Sequence, residues 1–398
     1  MLTSYWFALR GKTPLTSYRT DAYHYREAPR PLKSRREHWS RKRSLLRSLR
    51  VWLGLAISLL FLALFFRRTD FGQIRNSFED ANYAIALASL PVYFLGIWVR
   101  TVRWQYLLRP VKRLAVWRLY PVVLIGLMAN NLIPARAGEL VRAYILGERE
   151  NVSKAAALGT IAVDRLFDGL TLIPMLVIIT AFVGSNEQFK LPFSSYHINL
   201  LGLSILMAVL FGVALAVLFV LAISETWRVR MDRLIMRLAP ARFRPSLEGL
   251  AHSFFEELHS LRSPIDLGLA WVMSTISWVV EATMYYMVGR AFHIDAGFEY
   301  YLLVTAAANL AISVLASQGG IGPFELVAKQ TFVAAGVAEN AAKAFAIGLH
   351  ALVLLPVIAV GLYFLSTMGL SLGEMFRRST ARTPRPAAEA VANKIPGP

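Results

Sequence analysis

The chain has 398 residues, of which 56% are hydrophobic and 17% charged, and its mean hydropathy is +0.47. That balance excludes an ordinary soluble domain with one core and points to a polytopic membrane protein. The formal net charge is +18, and residues 1–50 hold thirteen Lys/Arg against three Asp/Glu. No cysteine is present, so disulfides, thiolate metal sites and thiol catalysis are excluded.

Residues 1–44 read as a basic, disordered cytoplasmic arm. The first apolar run starts near Val51, too late and too long for a cleavable signal. Such an arm either attracts anionic headgroups, at about 1 kcal/mol per basic residue near the surface, or marks the cytoplasmic side. No nucleic-acid-binding motif accompanies it, so nucleic acid is not an expected partner.

Eight apolar segments follow: Val51–Phe66, Ala81–Val99, Leu119–Ile133, Ala155–Gly184, Ile198–Ile223, Asp266–Gly289, Tyr300–Ala316 and Ala341–Leu365. Between the fifth and sixth lies an Arg-rich amphipathic linker, residues 224–264, suited to a membrane surface. Residues 371–398 form a basic, Pro/Ala-rich tail expected to be disordered.

Loop charge tests whether all eight segments cross. Arg100–Arg118 carries six Lys/Arg and no acid, Trp227–Arg244 is Arg-rich, and the tail is basic. The positive-inside rule places all three in the cytoplasm with the N-terminal arm. Eight full crossings put the linker outside instead. Making both the third and seventh segments re-entrant satisfies every loop. The expected fold is therefore an all-α polytopic membrane protein with about six full spans and two re-entrant helical hairpins, in the cytoplasmic membrane, with both termini cytoplasmic. A shift of 186 residues aligns Glu139-Leu140-Val141 with Glu325-Leu326-Val327, Ala155-Ala156 with Ala341-Ala342, and Leu166 with Leu352. Two hairpins entering from opposite sides then form an inverted repeat, as in secondary transporters.

Charges within apolar segments mark the candidate site, since each costs roughly 2.5–3.5 kcal/mol at bilayer depth. The first cluster is Asn130-Asn131-Leu132-Ile133-Pro134-Ala135-Arg136-Ala137-Gly138-Glu139, followed by Arg142. Pro134 and Gly138 suit a helix break. Arg136 is suited to bidentate phosphate binding, and Glu139 and Arg142, three apart, to mutual neutralisation. Asn130 and Asn131 suit either a headgroup or backbone groups freed by the break. The second cluster is Asp164-Arg165-Leu166-Phe167-Asp168. Its two acids share a helix face, and Arg165 reaches Asp168. The triad reads equally as a headgroup or proton site and as an interhelical ion lock. The third cluster is Gln318-Gly319-Gly320-Ile321-Gly322-Pro323-Phe324-Glu325, a tight re-entrant turn with an intramembrane acid that Lys329 is placed to neutralise. His350 occupies the repeat position of Asp164; it and the buried acid Glu281 read either as structural residues or as candidates for ion coupling.

On these three runs the sequence resembles the membrane region of lysylphosphatidylglycerol synthase/flippase proteins and their stand-alone flippase-like relatives, over roughly residues 45–370. The resemblance implies lipid handling: movement of an aminoacylated phospholipid, a glycolipid or polyprenyl-linked material. The few residues after the last apolar segment leave no room for a synthase domain, so the expected function is transport rather than catalysis. The alternatives are an integral lipid-phosphate enzyme, for which the first hairpin offers no Ser or His, and a non-transporting partner of a separate lipid-modifying enzyme. The expected partners are membrane lipids. No Walker loop, dinucleotide fingerprint or metal-ligand cluster is present, so no cofactor or metal is expected.

Overall fold

The computed structural model describes residues 49–67, 69–133, 137–183, 188–190, 197–199, 264–315 and 317–370, with isolated positions between 200 and 263. The expected arm, the linker 224–264, the tail, most of the fifth apolar segment, and Pro134 and Arg136 lie outside the described residues.

The described chain is helical, with one small ribbon. Helix α1 is Leu49–Phe65 and α2 is Phe71–Glu79. They are followed by α3 Tyr83–Leu108, α4 Val116–Leu132, α5 Gly138–Glu150 and α6 Lys154–Val183. Strands β1 Gln188–Lys190 and β2 His197–Asn199 pair antiparallel, with Phe189 opposite Ile198. Then come α7 Pro264–Ala291, α8 Phe298–Leu315, a 3₁₀ turn Gln318–Gly320, α9 Pro323–Ala334 and α10 Glu339–Thr367.

Among the described residues, four helices are long and apolar enough to cross a membrane: α3, α6, α7 from Ile265, and α10. Their outward faces carry large apolar side chains, including Phe182 at 82% exposure and Leu355 at 64%. In water such a surface is an aggregation liability, whereas in lipid it is the expected outer layer.

One sequence expectation is corrected, and one helix appears that hydropathy does not mark. The second apolar segment does not end at Val99: α3 continues to Leu108. The short loop Arg67–Asp80 contains α2, whose first amides are capped by Asp70 Oδ1 accepting from Gly72 N at 2.9 Å and Gln73 N at 3.2 Å. Its polar composition hid it among loop residues.

The helices fall into two matching series, α3–α4–α5–α6 and α7–α8–α9–α10. Their lengths are 26, 17, 13 and 30 residues in the first and 28, 18, 12 and 29 in the second. In each series the second and third helices pack back to back across a break, making a helical hairpin. The long helices α3 and α7 lie against one another and run antiparallel, since Asn82 N bonds Ala291 O at one end and Arg109 meets Asp266 at the other. The remaining contacts are exchanged: α4 packs on α10, and α8 packs on α6. Thus the first arm of each hairpin leans on the long helix that follows the other hairpin. Interchanging the two series maps this contact pattern onto itself.

Both breaks have local causes. Between α4 and α5, Asn130 reaches across: its Oδ1 accepts from Gly138 N at 2.8 Å and its Nδ2 donates to Glu139 Oε1 at 3.2 Å. A Cβ on Gly138 would lie 2.1 Å from the Gly126 carbonyl, so only glycine permits this approach. Between α8 and α9, Gly319, Gly320 and Gly322 have φ of 61°, 76° and 97°, a region L side chains avoid. Pro323 then starts α9, where its missing amide donor is not needed.

Candidate polar cavity between the two helical series

A cavity of about 130 Å³ lies where the two series meet. From the first series it is lined by Tyr93, Arg100, Asn130, Asn131, Arg165 and Asp168, and from the second by Trp278, Glu281, Asn309, Ser317, Gly319, Gly320, Phe324 and His350.

On one wall, Arg100 Nη2 donates to Glu281 Oε2 at 2.8 Å, and its guanidinium lies 4.3 Å above the Trp278 ring. Glu281 also accepts from the Tyr285 hydroxyl at 3.0 Å and from Asn309 Nδ2 at 3.4 Å. Among the described residues, Arg100 Nε, Trp278 Nε1 and Ser317 Oγ are buried without a hydrogen-bond partner. Unused donors around a cavity in a low-dielectric setting favour an acceptor-rich ligand.

Elsewhere on the lining, Asp168 Oδ1 accepts from Arg103 Nη1 at 2.8 Å, and its Oδ2 forms an ion pair with Arg165 Nη1 at 3.1 Å. Arg165 keeps 34% of its side chain exposed, whereas Arg103 is fully enclosed. Behind them Asp164 is buried among three arginines: Arg103 at 2.7 Å, Arg142 at 3.4 Å and Arg165 at 3.5 Å. Arg142 lies 4.1 Å from the Trp104 ring. Arg103 also donates to Ser274 Oγ at 2.8 Å, tying α3, α6 and α7 together.

The third group sits at the second hairpin. Glu325 Oε2 accepts from Gly322 N at 2.7 Å, and Glu325 Oε1 lies 2.7 Å from His350 Nδ1. His350 Nε2 lies 3.0 Å from the Gly319 carbonyl. The Phe324 ring stacks on His350 at 4.5 Å.

Of the sequence-predicted residues, Asn130, Asn131, Arg165, Asp168, Gly319, Gly320, Glu281 and His350 line this one cavity. Asp164 and Arg142 form the ion lock behind it, and Glu139 and Glu325 brace the two breaks. Gln318 lies in the turn of the second break.

Two expected pairings are replaced. Arg142 turns to Asp164, while Glu139 accepts from Asn130. Lys329 pairs with Glu339 at 3.2 Å, and Glu325 takes His350. In each case a neighbouring helix offers a better-placed partner than the same helix one turn away. Sequence reasoning missed Arg100 and Arg103, counting them with a basic loop. The signal was helical spacing: Gly96, Ile97, Arg103, Trp104 and Leu107 continue the buried face of α3 past Val99.

A helical membrane protein with two broken hairpins around a charged cavity is the class these features define. The chain belongs to the family described as the lysylphosphatidylglycerol synthase transmembrane region, whose sequence profile matches residues 51–361. Its similar relatives include glycosyltransferase AglD of Haloferax volcanii, 26% identical over 74% of this chain and 50% of AglD, so the likeness spans half of that protein's length. They also include two UPF0104 membrane proteins of Methanothermobacter thermautotrophicus. One is 24% identical over 76% of this chain and 91% of the relative, the other 25% identical over 74% and 86%.

Proposed function

We propose that this protein moves a lipid with an anionic or zwitterionic, phosphate-bearing headgroup across the cytoplasmic membrane, without covalent change to it. The observation that carries this reading is the cavity at the junction of the two series, with Arg100, Arg165 and Asn130 on its walls. The arginines offer charge-assisted donors to phosphate oxygens, and Asp168 and Glu281 suit an ammonium in a zwitterionic headgroup. At about 130 Å³ the space is small beside the roughly 300–1,000 Å³ of a pocket that encloses a whole drug-sized ligand. A headgroup shelters there while its hydrocarbon chains stay in the bilayer.

The two hairpins are taken to be re-entrant from opposite faces of the membrane, with both chain termini cytoplasmic. Broken helices at membrane depth are tolerated where they line a cavity, and exchange of two inverted repeats is a route to alternating access. The name of one relative fits one of the expected cargoes, a sugar-bearing lipid, since AglD is called a glycosyltransferase. An enzymatic reading is disfavoured by His350, whose two ring nitrogens are engaged by Glu325 and Gly319, leaving none to activate Ser317.

The test is reconstitution in liposomes with fluorescent phosphatidylglycerol, aminoacyl-phosphatidylglycerol, glycolipid and polyprenyl-phosphate, scoring leaflet exchange. Exchange of at least one, slowed by Arg165→Ala, supports the proposal. Exchange of none, or release of phosphate or sugar by the purified protein, overturns it.

A further inference from the structure

His350 faces an acceptor at each ring nitrogen: a carboxylate oxygen 2.7 Å from Nδ1 and a backbone carbonyl 3.0 Å from Nε2. A neutral imidazole carries one N–H and one lone pair. Both contacts are therefore satisfied only when the His350–Glu325 pair holds one proton beyond neutral His and ionised Glu. That proton sits on His350 as imidazolium or on Glu325 as the acid; in either form each short contact contains one hydrogen. The other Glu325 oxygen is occupied by Gly322 N–H.

We infer that the His350–Glu325 pair is a proton-binding latch that closes the break of the second hairpin over the cavity, so that the transported cargo is coupled to a proton. This rests on the transport reading above and names its coupling ion.

The placement supports it. His350 holds Gly319 and Glu325 holds Gly322, so one proton ties α10 to both sides of a break built on glycines at positive φ. The turn also abuts the end of α4, with the Asn131 carbonyl 3.4 Å from a Cβ built on Gly319. Loss of the shared proton to water in the cavity leaves Glu325 as carboxylate and the neutral His350 ring with one N–H for two acceptors. Whichever nitrogen keeps it, the other turns a lone pair to its acceptor, and that contact with the break opens.

The surrounding charges do not supply a substitute. Arg100 of α3 is paired with Glu281 of α7, to which Tyr285 also donates, and Tyr93 of α3 lines the same wall. Arg165 and Asp168 of α6 pair with each other. On α9 and α10, Lys329 and Lys343 turn to Glu339. On α2, Arg75 pairs with Glu79, and α4 brings Asn130 and Asn131, which do not titrate, to the cavity. At the equivalent position of the first series Asp164 is held by arginines, which keep their charge at any physiological pH. Among the described residues, only the second hairpin is fastened by a removable proton.

The experiment needs no knowledge of the cargo. Ile321, 38% exposed between Gly320 and Gly322, becomes the only cysteine as Ile321→Cys in the full chain. The protein is placed in phosphatidylglycerol/phosphatidylethanolamine vesicles and labelled with a water-soluble maleimide across pH, with rates corrected for the thiolate fraction using a free thiol. In parallel, ¹⁵N-histidine NMR follows the ring nitrogens, with His350→Gln assigning the signal among seven histidines. The expected result is a corrected labelling rate that rises about tenfold as pH rises, in step with a change in the ring-nitrogen signals of His350. Both Glu325→Gln and His350→Gln should abolish that dependence. A labelling profile the same in both variants as in the parent, or ring-nitrogen signals of His350 that do not change where labelling changes, overturns the latch. Labelling as expected with no lipid exchanged would preserve the latch and sink the transport reading. Exchange unaffected by a pH gradient would keep transport and sink the coupling.

Discussion

At the scale of single residues, the charges divide into those that fasten helices and those that face the cavity. Removing one partner of a buried pair leaves the other uncompensated, at about 3–5 kcal/mol. Asp164→Asn is therefore expected to lower stability by about that amount, read as an early thermal transition in detergent, because three arginines converge on it. Arg165→Ala should differ in kind. Its side chain is partly open to the cavity, so lipid exchange should fall about tenfold, roughly 1.4 kcal/mol of barrier, while the thermal midpoint stays near the parent's. A midpoint for Arg165→Ala as low as that for Asp164→Asn would show that the two do one job. The acids of this cluster were legible in the sequence because charge in an apolar run is costly. Of the matching cations Arg142 and Arg165 were legible too, but Arg103, and Arg100 beside Glu281, were not, since they lie at the end of an apolar run, next to Arg109, Lys112 and Arg113, where basic residues ordinarily mark an interface.

At the scale of elements, the hairpins depend on what glycine permits. In Gly138→Ala the new methyl would meet a backbone carbonyl at 2.1 Å; backbone yields less than a side chain, and overpacking of this kind costs about 1–3 kcal/mol or more. Gly268→Ala, in α7 with nothing within 4 Å of the added carbon, should be neutral or slightly stabilising, as helix propensity favours alanine by about 1 kcal/mol. Comparing the two thermal midpoints checks both, and equal midpoints would refute the close approach of α4 and α5. Apolar length and the Pro and Gly punctuation located most helices and both breaks from sequence: Ala155–Gly184 became α6, Lys154–Val183, and Ala341–Leu365 became α10, Glu339–Thr367. Helix α2 was not legible because it is polar, and α3 was cut short because hydropathy falls before the helix ends.

At the scale of the whole molecule, the 186-residue shift located a real correspondence, since the helices of the two series match in order and length and their contacts exchange. The shift alone could not reveal that each hairpin rests on the other series' long helix, because that is a property of tertiary packing. A cysteine pair tests it: a Cβ on Gly361 of α10 would lie 2.5 Å from Met128 Cβ of α4. Oxidised Met128→Cys/Gly361→Cys should stay linked after proteolysis between the series; separation into fragments would refute the exchanged packing. The same exchange sets an order of events at the ribosome. Leu132 closes α4 and Glu339 opens α10, so the surface on which α4 comes to rest is made roughly 200 residues later. At about 5–20 residues per second, the first hairpin waits some 10–40 s with the α4 face that packs on α10 uncovered. During that interval the nascent chain is a substrate for insertion chaperones and for membrane proteases, and neither half, made alone, ever leaves it.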